Sequence, residues 1–481
     1  MAHAFSFTRP SVGPRMVAVG AVTALCAALS VFVPPVGTAL TIVACAVLVA
    51  WTRPVGVLGR ALAVAAIVTA IAGPNLALPT APGISAFRVV IVLLFAGVLA
   101  HLAIGGAIPW PRALSLPASL FGLILLWAVI SLAWADEPTE GIRWIGLFAL
   151  GVALSLTIAV TFSTRARMIQ LLKILGAVFL VVVAVSLMEL VLGIRLPTSR
   201  LLDRTADTAF AATSFFGNEN NLATYLTLTL PYFVGLVIVF RDIRLRVIGA
   251  AGGLTTLLLL LYTGSKTNLL VTALVFLTFF IVLAMDRSMR RQAFLGALAL
   301  GAAAALVLVP ALNGVGPIKL SDRALSKFSF TLLTEQVDNG VGSGAVRASL
   351  TNEGLTLVRE TGGIGAGAGN SSAAIAERTE YPEVVLLLHN WWLEVAADLG
   401  LIGIALYICV YVFMVSRQLR AARSPDPLLR YLGLAGTAAL VGFVVGSLAP
   451  SSALAFSPMW ITFGVCLATT VLLSATRGRQ P

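Results

Sequence analysis

The chain holds three histidines, His3, His101 and His389, and only His389 stands among other groups able to move a proton. It opens the stretch Leu388-His389-Asn390-Trp391-Trp392-Leu393-Glu394-Val395-Ala396-Ala397-Asp398-Leu399-Gly400-Leu401-Ile402-Gly403. In a helix that starts at Asn390, the residues Asn390, Glu394 and Asp398 share one stripe at i, i+4 and i+8. Two carboxylates and an imidazole then gather at one end of an apolar segment. A carboxylate beside histidine favours imidazolium and fixes the ring's orientation, as a proton-transferring group near neutral pH requires. A plainer reading makes Asn390 a helix cap and the two tryptophans part of an interfacial aromatic belt.

The elements that must position these groups are set by composition. Of the 481 residues, 59% are hydrophobic and 11% charged, and the mean hydropathy is +0.99. A soluble domain carries about 25% charged residues, so a water-soluble fold is excluded. A hydropathy window gives fourteen candidate spans: 16–33, 36–51, 61–78, 87–105, 115–134, 142–162, 172–193, 220–240, 247–262, 268–285, 293–311, 390–415, 430–448 and 456–474. The expected fold class is an all-α polytopic integral membrane protein with 12–14 transmembrane helices. The first stretch follows Arg9 and Arg15 like a secretory signal, but its continuation through Pro34 and Pro35 into a second apolar stretch favours a retained hairpin.

Basic residues assign the sides. With both termini in the cytoplasm, 20 of the 32 Lys and Arg fall in inner loops, from Arg9 and Arg15 through Arg241, Arg244 and Arg246 to Arg477 and Arg479. Acids go the other way, with Asp136, Glu137 and Glu140 together outside. The net charge of +12 is thus a topology signal, and no soluble basic domain exists to bind nucleic acid. Cys26, Cys45, Cys409 and Cys466 all sit in apolar stretches, where they read as small packed residues; no metal site is expected.

The resulting organisation is a cytoplasmic tail at 1–15, eleven transmembrane helices over 16–311, an extracytoplasmic loop over 312–388, three helices over 389–474 and a cytoplasmic tail at 475–481. A loop as long as 312–388 is functional or disordered. Lys319 to Phe330 and Arg347 to Arg359 mix apolar and charged residues at helical spacing, which predicts amphipathic helices on the membrane surface. In the second, Val346, Leu350, Leu355 and Val358 are expected on one face, leaving Arg347, Glu353 and Arg359 free. A solvated helical cap without a site is the alternative.

Four motifs, in order, give the chain a resemblance. His389 to Gly403 resembles the pattern His-Asn-x-x-Leu-Glu-x-x-x-(Glu/Asp)-x-Gly-x-x-Gly of the O-antigen ligase and Wzy-type polymerase superfamily of membrane glycan transferases. Gly217-Asn218-Glu219-Asn220-Asn221-Leu222-Ala223 looks like that family's Gly-Asn-x-Asn-x-Leu-Ala segment. Tyr262 to Asn268 occupies the place of its Ser-Arg-Gly motif, with Lys266 where the family has arginine and Thr267 where glycine is common. Arg347, followed by the glycine run 363–369, resembles its Arg…Gly-x-Gly stretch.

The resemblance implies a GT-C-like membrane protein that moves a glycan from an undecaprenyl-diphosphate carrier to an acceptor hydroxyl on a lipid, glycan or protein. The reaction lies outside the cytoplasmic membrane of a bacterium and needs no cofactor. A lipid-diphosphate leaving group calls for fixed cations. Lys266 and Arg347 are the first candidates, Arg359 and Arg143 reserves; each also reads as a snorkelling or topology-setting residue. His389 is the candidate general base and Glu394 its orienting partner. Asn218, Asn220 and Asn390 are candidates to hydrogen-bond sugar or phosphate, or plain helix caps. Two other readings remain: a Wzy-type polymerase of lipid-linked repeat units, and a polytopic transporter, which internal repeats and midplane acids would favour.

Overall fold

The computed structural model describes residues 55–78, 81–103, 108–202, 211–285, 343–376, 388–450 and 452–477. The expected spans at 16–33, 36–51 and 293–311 and the helix at 319–330 lie outside them. Each of the other eleven expected spans meets a helix. These are α1 (Val55–Ala72), α2 (Ala86–Ala103), α3 (Ser115–Ser131), α4 (Pro138–Thr161), α5 (Arg165–Leu192), α6 (Glu219–Val239), α7 (Ile243–Thr263), α8 (Lys266–Ala284), α11 (Trp391–Ala422), α12 (Pro427–Gly446) and α13 (Ser457–Arg477). Between α8 and α11 come α9 (Ser343–Glu360) and the short α10 (Ser371–Ala376). A two-stranded antiparallel ribbon, β1 (Ala77–Leu78) with β2 (Ala81–Ser85), joins α1 to α2. Among the described residues, ten helices are long and apolar enough to cross a membrane, so the chain is an all-α polytopic membrane protein.

Helix ends follow local chemistry. Pro138 and Pro427 stand in the first turns of α4 and α12, where a missing N–H costs nothing. Asp242 and Asp426 cap α7 and α12 by accepting backbone N–H bonds. α5 and α7 end at Gly193 and Gly264 in the left-handed conformation. α1 lies six residues ahead of the expected 61–78, because Pro74 disfavours helical backbone before it and stops the helix at Ala72.

Small residues bring the helices together. A Cβ at Gly151 would strike the Trp460 ring, and Ser155 Oγ donates to Trp460 O at 2.7 Å, which locks α4 on α13. Gly249 and Gly252 admit Phe233 between α7 and α6, and Gly433 and Gly436 sit against α11 at Gln418. Close approach at small residues is how helices pack where lipid supplies no hydrophobic drive. In the apolar stretches of α12 and α13, 78% of residues are buried, against 22% in α5 and α7, so the former pair forms the centre of the bundle.

The helices alternate in direction. His389 therefore shares one end of the bundle with the C-terminal ends of α1, α3, α5 and α7 and the N-terminal ends of α4, α6 and α8. The opposite end carries Arg165, which pairs with Asp426, and Arg241, Arg244, Arg246, Arg420 and Arg423.

α11 departs most from expectation. Gly400 has φ +67 and ψ −164, which breaks the helix. Trp391 and Tyr407 have ring centroids 5.7 Å apart, whereas 16 residues of straight helix would separate them by about 24 Å. The segment before Gly400 thus doubles back on the segment after it. The span expected at 390–415 is delivered by residues 401–422, with 391–399 as a separate half-helix. Trp391 is fully buried against Tyr407, so it is a core residue instead of a member of an aromatic belt.

The glycine-rich run supplies what the broken helix lacks. Leu401 N donates to Gly363 O at 2.8 Å, Ala366 N to Ala397 O at 2.8 Å and Gly367 N to Asp398 O at 2.9 Å. Groups orphaned at the break are thereby satisfied. The approach is too close for side chains: a Cβ at Gly400 would lie 2.3 Å from Gly363 O, and one at Gly365 2.5 Å from Gly400 N.

Candidate functional site

α9 carries Arg347 to His389. The buried stripe of α9 is Leu350, Gly354 and Leu357, while Leu355 is 46% exposed. This corrects the expected face: steps of three and four from Leu350 reach 354 and 357, and 355 falls off the stripe. Leu350 and Leu357 join Ile375, Leu388, Leu393 and Ala397 in a small core of their own, and a Cβ at Gly354 would meet Leu393 and Leu388. Arg347 lies about one turn before Leu350 on the same side, so it is half-buried instead of free. Its charge acts on His389, immediately after Leu388.

His389 has φ +48, in the left-handed region that histidine tolerates better than most residues. Its Nδ1 lies 3.2 Å from Pro450 O, beyond the end of α12. A carbonyl only accepts, so Nδ1 carries the proton in the neutral ring and Nε2 presents its lone pair. Burial, and then the charges of Arg347 and Arg200, push the histidine below its ordinary value, against a smaller opposing effect of the Pro450 bond. The imidazole is held neutral, in the tautomer a general base needs.

Among the residues of the expected stripe, Asn390 caps the half-helix by accepting Leu393 N at 3.3 Å. Glu394 and Asp398 are both buried. Asp398 serves the loop, with Oδ1 accepting Ser371 N at 2.9 Å at the head of α10. The His389 ring donates from Nδ1 to the Pro450 carbonyl, which orients it; the sequence offered Glu394 for that task.

Asn218 caps α6, its side chain accepting Asn221 N at 2.8 Å, and Asn220 is half-exposed on the first turn. Asn220 O accepts Thr224 Oγ1, and Thr224 Oγ1 in turn accepts from Asn268 Nδ2 at 3.3 Å. Asn268, fully buried, also donates to Ser265 Oγ at 3.0 Å and accepts from Thr227 Oγ1 at 3.1 Å. This network sets the outer turn of α8, whose first residue is Lys266. An ammonium there stands at the positive pole of the helix, an arrangement suited to an anion and unfavourable without one. Lys266 shares the bundle end with His389.

The reserves fall elsewhere. Arg143 is exposed and pairs with Glu140 at 3.4 Å. Arg359, in the last turn of α9, lies about 18 Å along the axis from Arg347.

Two residues the motifs did not single out belong to the site, Arg200 and Glu219. Arg200 N donates to Gly217 O at 2.8 Å, and its Nε bonds Glu219 Oε2 at 2.5 Å. Its charge bears on both Arg347 and His389. No sequence pattern marked Arg200, since 12 of the 32 Lys and Arg fall outside the expected inner loops. The loop is anchored by Glu189, fully buried near the end of α5, which accepts Thr213 N at 2.7 Å, Ser214 N at 2.8 Å and Thr213 Oγ1 at 3.0 Å. Thr213 Oγ1 also bonds Ser199 Oγ at 2.8 Å, one residue before Arg200.

Comparison with known proteins gives the chain two likenesses. The sequence profile of the O-antigen ligase family matches residues 251–408, from α7 through the glycine run to the turn of α11 after Gly400. The chain is also similar to the teichuronic acid biosynthesis protein TuaE of Bacillus subtilis (strain 168). They are 24% identical over 361 residues, which cover 74% of this chain and 72% of TuaE.

Proposed function

We propose that this chain, whose residues 251–408 match the O-antigen ligase family, transfers a glycan from an undecaprenyl-diphosphate carrier to an acceptor hydroxyl. The observation that carries this reading is a neutral, tautomerically fixed His389 beside the half-buried guanidinium of Arg347. His389 Nε2 takes the proton of the acceptor hydroxyl as its oxygen attacks the anomeric carbon. The bond from that carbon to the diphosphate oxygen breaks, and undecaprenyl diphosphate leaves with the electron pair. Arg347, with Lys266 across the bundle end, stabilises the charge that develops there. Direct attack inverts the anomeric centre and needs no covalent enzyme intermediate.

The setting is cell-envelope polysaccharide biosynthesis, a reading supported by the likeness to TuaE, a teichuronic acid biosynthesis protein. The concentration of arginine at the end opposite His389 supports an extracytoplasmic site in the cytoplasmic membrane, by the positive-inside rule. The deciding experiment incubates the purified chain with an undecaprenyl-diphosphate oligosaccharide and candidate hydroxyl acceptors. Glycosylated acceptor with release of undecaprenyl diphosphate is expected, and absence of transfer to every acceptor sinks the reading. Carrier-linked glycans of a deletion strain separate ligase from polymerase: uncapped long chains accumulate on ligase loss, single repeat units on polymerase loss.

A further inference from the structure

We propose that Arg200, bound to Gly217 and Glu219 at the head of α6, is a second donor-binding cation, partly neutralised by Glu219 until a diphosphate arrives. The proposal rests on the transferase reading and adds to it a residue, and a counter-ion, on a different loop.

Four observations converge. Arg200 is fixed at its backbone by the bond to Gly217 O, in a loop held at its far side by Glu189 through Thr213, Ser214 and Ser199. Its contact with Glu219 uses Nε, so the two terminal nitrogens form the outer edge of the fork. Glu219 is itself set by α6, directly after the capping residue Asn218. Finally, the charges of Arg200 and Arg347 act on each other and on His389, with Arg347 half-buried. Two guanidiniums near each other repel, and a ligand with two anionic groups turns that repulsion into attraction. A diphosphate has this form, and planar forks suit its oxygens better than a point charge does.

The proposal separates from a purely structural role by the sign of two variants. Inorganic diphosphate binding to the purified full-length chain is measured for wild type, Arg200→Ala, Arg200→Lys and Glu219→Gln. Arg200→Ala is expected to weaken binding about 10-fold, and Arg200→Lys to recover part of it. Glu219→Gln keeps an acceptor for Nε but removes its charge, and is expected to tighten binding a few-fold. A pair that only braces the loop makes Arg200→Ala and Glu219→Gln act in the same direction, and that result overturns the proposal. So does unchanged binding in Arg200→Ala. Should Arg200→Ala fold poorly, Arg200→Lys and Glu219→Gln still give the answer. Because no glycan is transferred in this assay, diphosphate binding that follows the predicted signs in a chain without transferase activity refutes only the transferase reading. Active wild type with unaltered binding in Arg200→Ala refutes only the role of Arg200.

Discussion

His389 Nδ1 stands 3.2 Å from the carbonyl oxygen of Pro450, and that bond sets the tautomer of the neutral ring. The carbonyl holds the Nδ1 proton and leaves Nε2 to accept another. His389→Ala should lower transfer by about 10²- to 10⁴-fold, the usual contribution of a general base, with membrane abundance unchanged. Near-normal product from that variant in the transfer assay refutes the assignment.

The pH dependence follows from the charges around the ring. Burial, Arg347 and Arg200 all disfavour imidazolium, so the folded-state value lies below about 6.5. The base stays unprotonated, and transfer stays active, into mildly acidic solution; rate falls only as pH drops through the depressed value. Replacing Arg347 by Gln removes a positive neighbour and must raise that value, moving the acidic limb of the profile to higher pH. A limb that stays in place, or moves down, contradicts this account.

Much of this was legible in the chain. Span lengths gave the helical bundle, and the motifs named His389 and Arg347 as candidates, because hydropathy and local spacing are properties of contiguous residues. The missing parts depend on partners far away in sequence. Glu189 reads as an acid near a helix end until Thr213 and Ser214, 24 and 25 residues on, fold over it. Pro450 acts through a backbone carbonyl, which no side-chain pattern announces. The break at Gly400 is stable only because the run 363–367 satisfies it, and a hydropathy window averages across such a break.

Glu189→Ala should destabilise the chain by ~3 kcal/mol, since it leaves two backbone N–H groups and a hydroxyl without their charged acceptor in a buried place. The loop before α6 should then be cut faster by protease. Arg143→Ala, which removes only an exposed pair, serves as comparison and should leave the melting temperature unchanged. Equal melting temperatures for the two variants count against the anchoring role.

Gly400→Ala should cost more than about 2 kcal/mol, because Ala both strains at φ +67 and overlaps Gly363 O and Ile364. Yield and melting temperature in detergent should fall together. Leu401→Ala, at a side chain 61% exposed on the same turn, should be tolerated. A stable Gly400→Ala chain means the glycine run does not clasp the break.

Lys266 offers a test in which stability and function part company. An ammonium in the first turn of α8 opposes the helix dipole by ~0.5 kcal/mol, which offsets part of what its own contacts contribute, so Lys266→Gln should change the melting temperature little. The same change removes a cation from the diphosphate region and should raise the KM for the lipid-linked donor several-fold. Lys266→Arg keeps the charge and should stay close to wild type. Asn268→Ala leaves the lysine in place but removes its support from Ser265, Thr224 and Thr227, so it should lower both stability and donor affinity. A Lys266→Gln chain that melts early while its KM is unchanged shows that Lys266 serves the fold and not the donor.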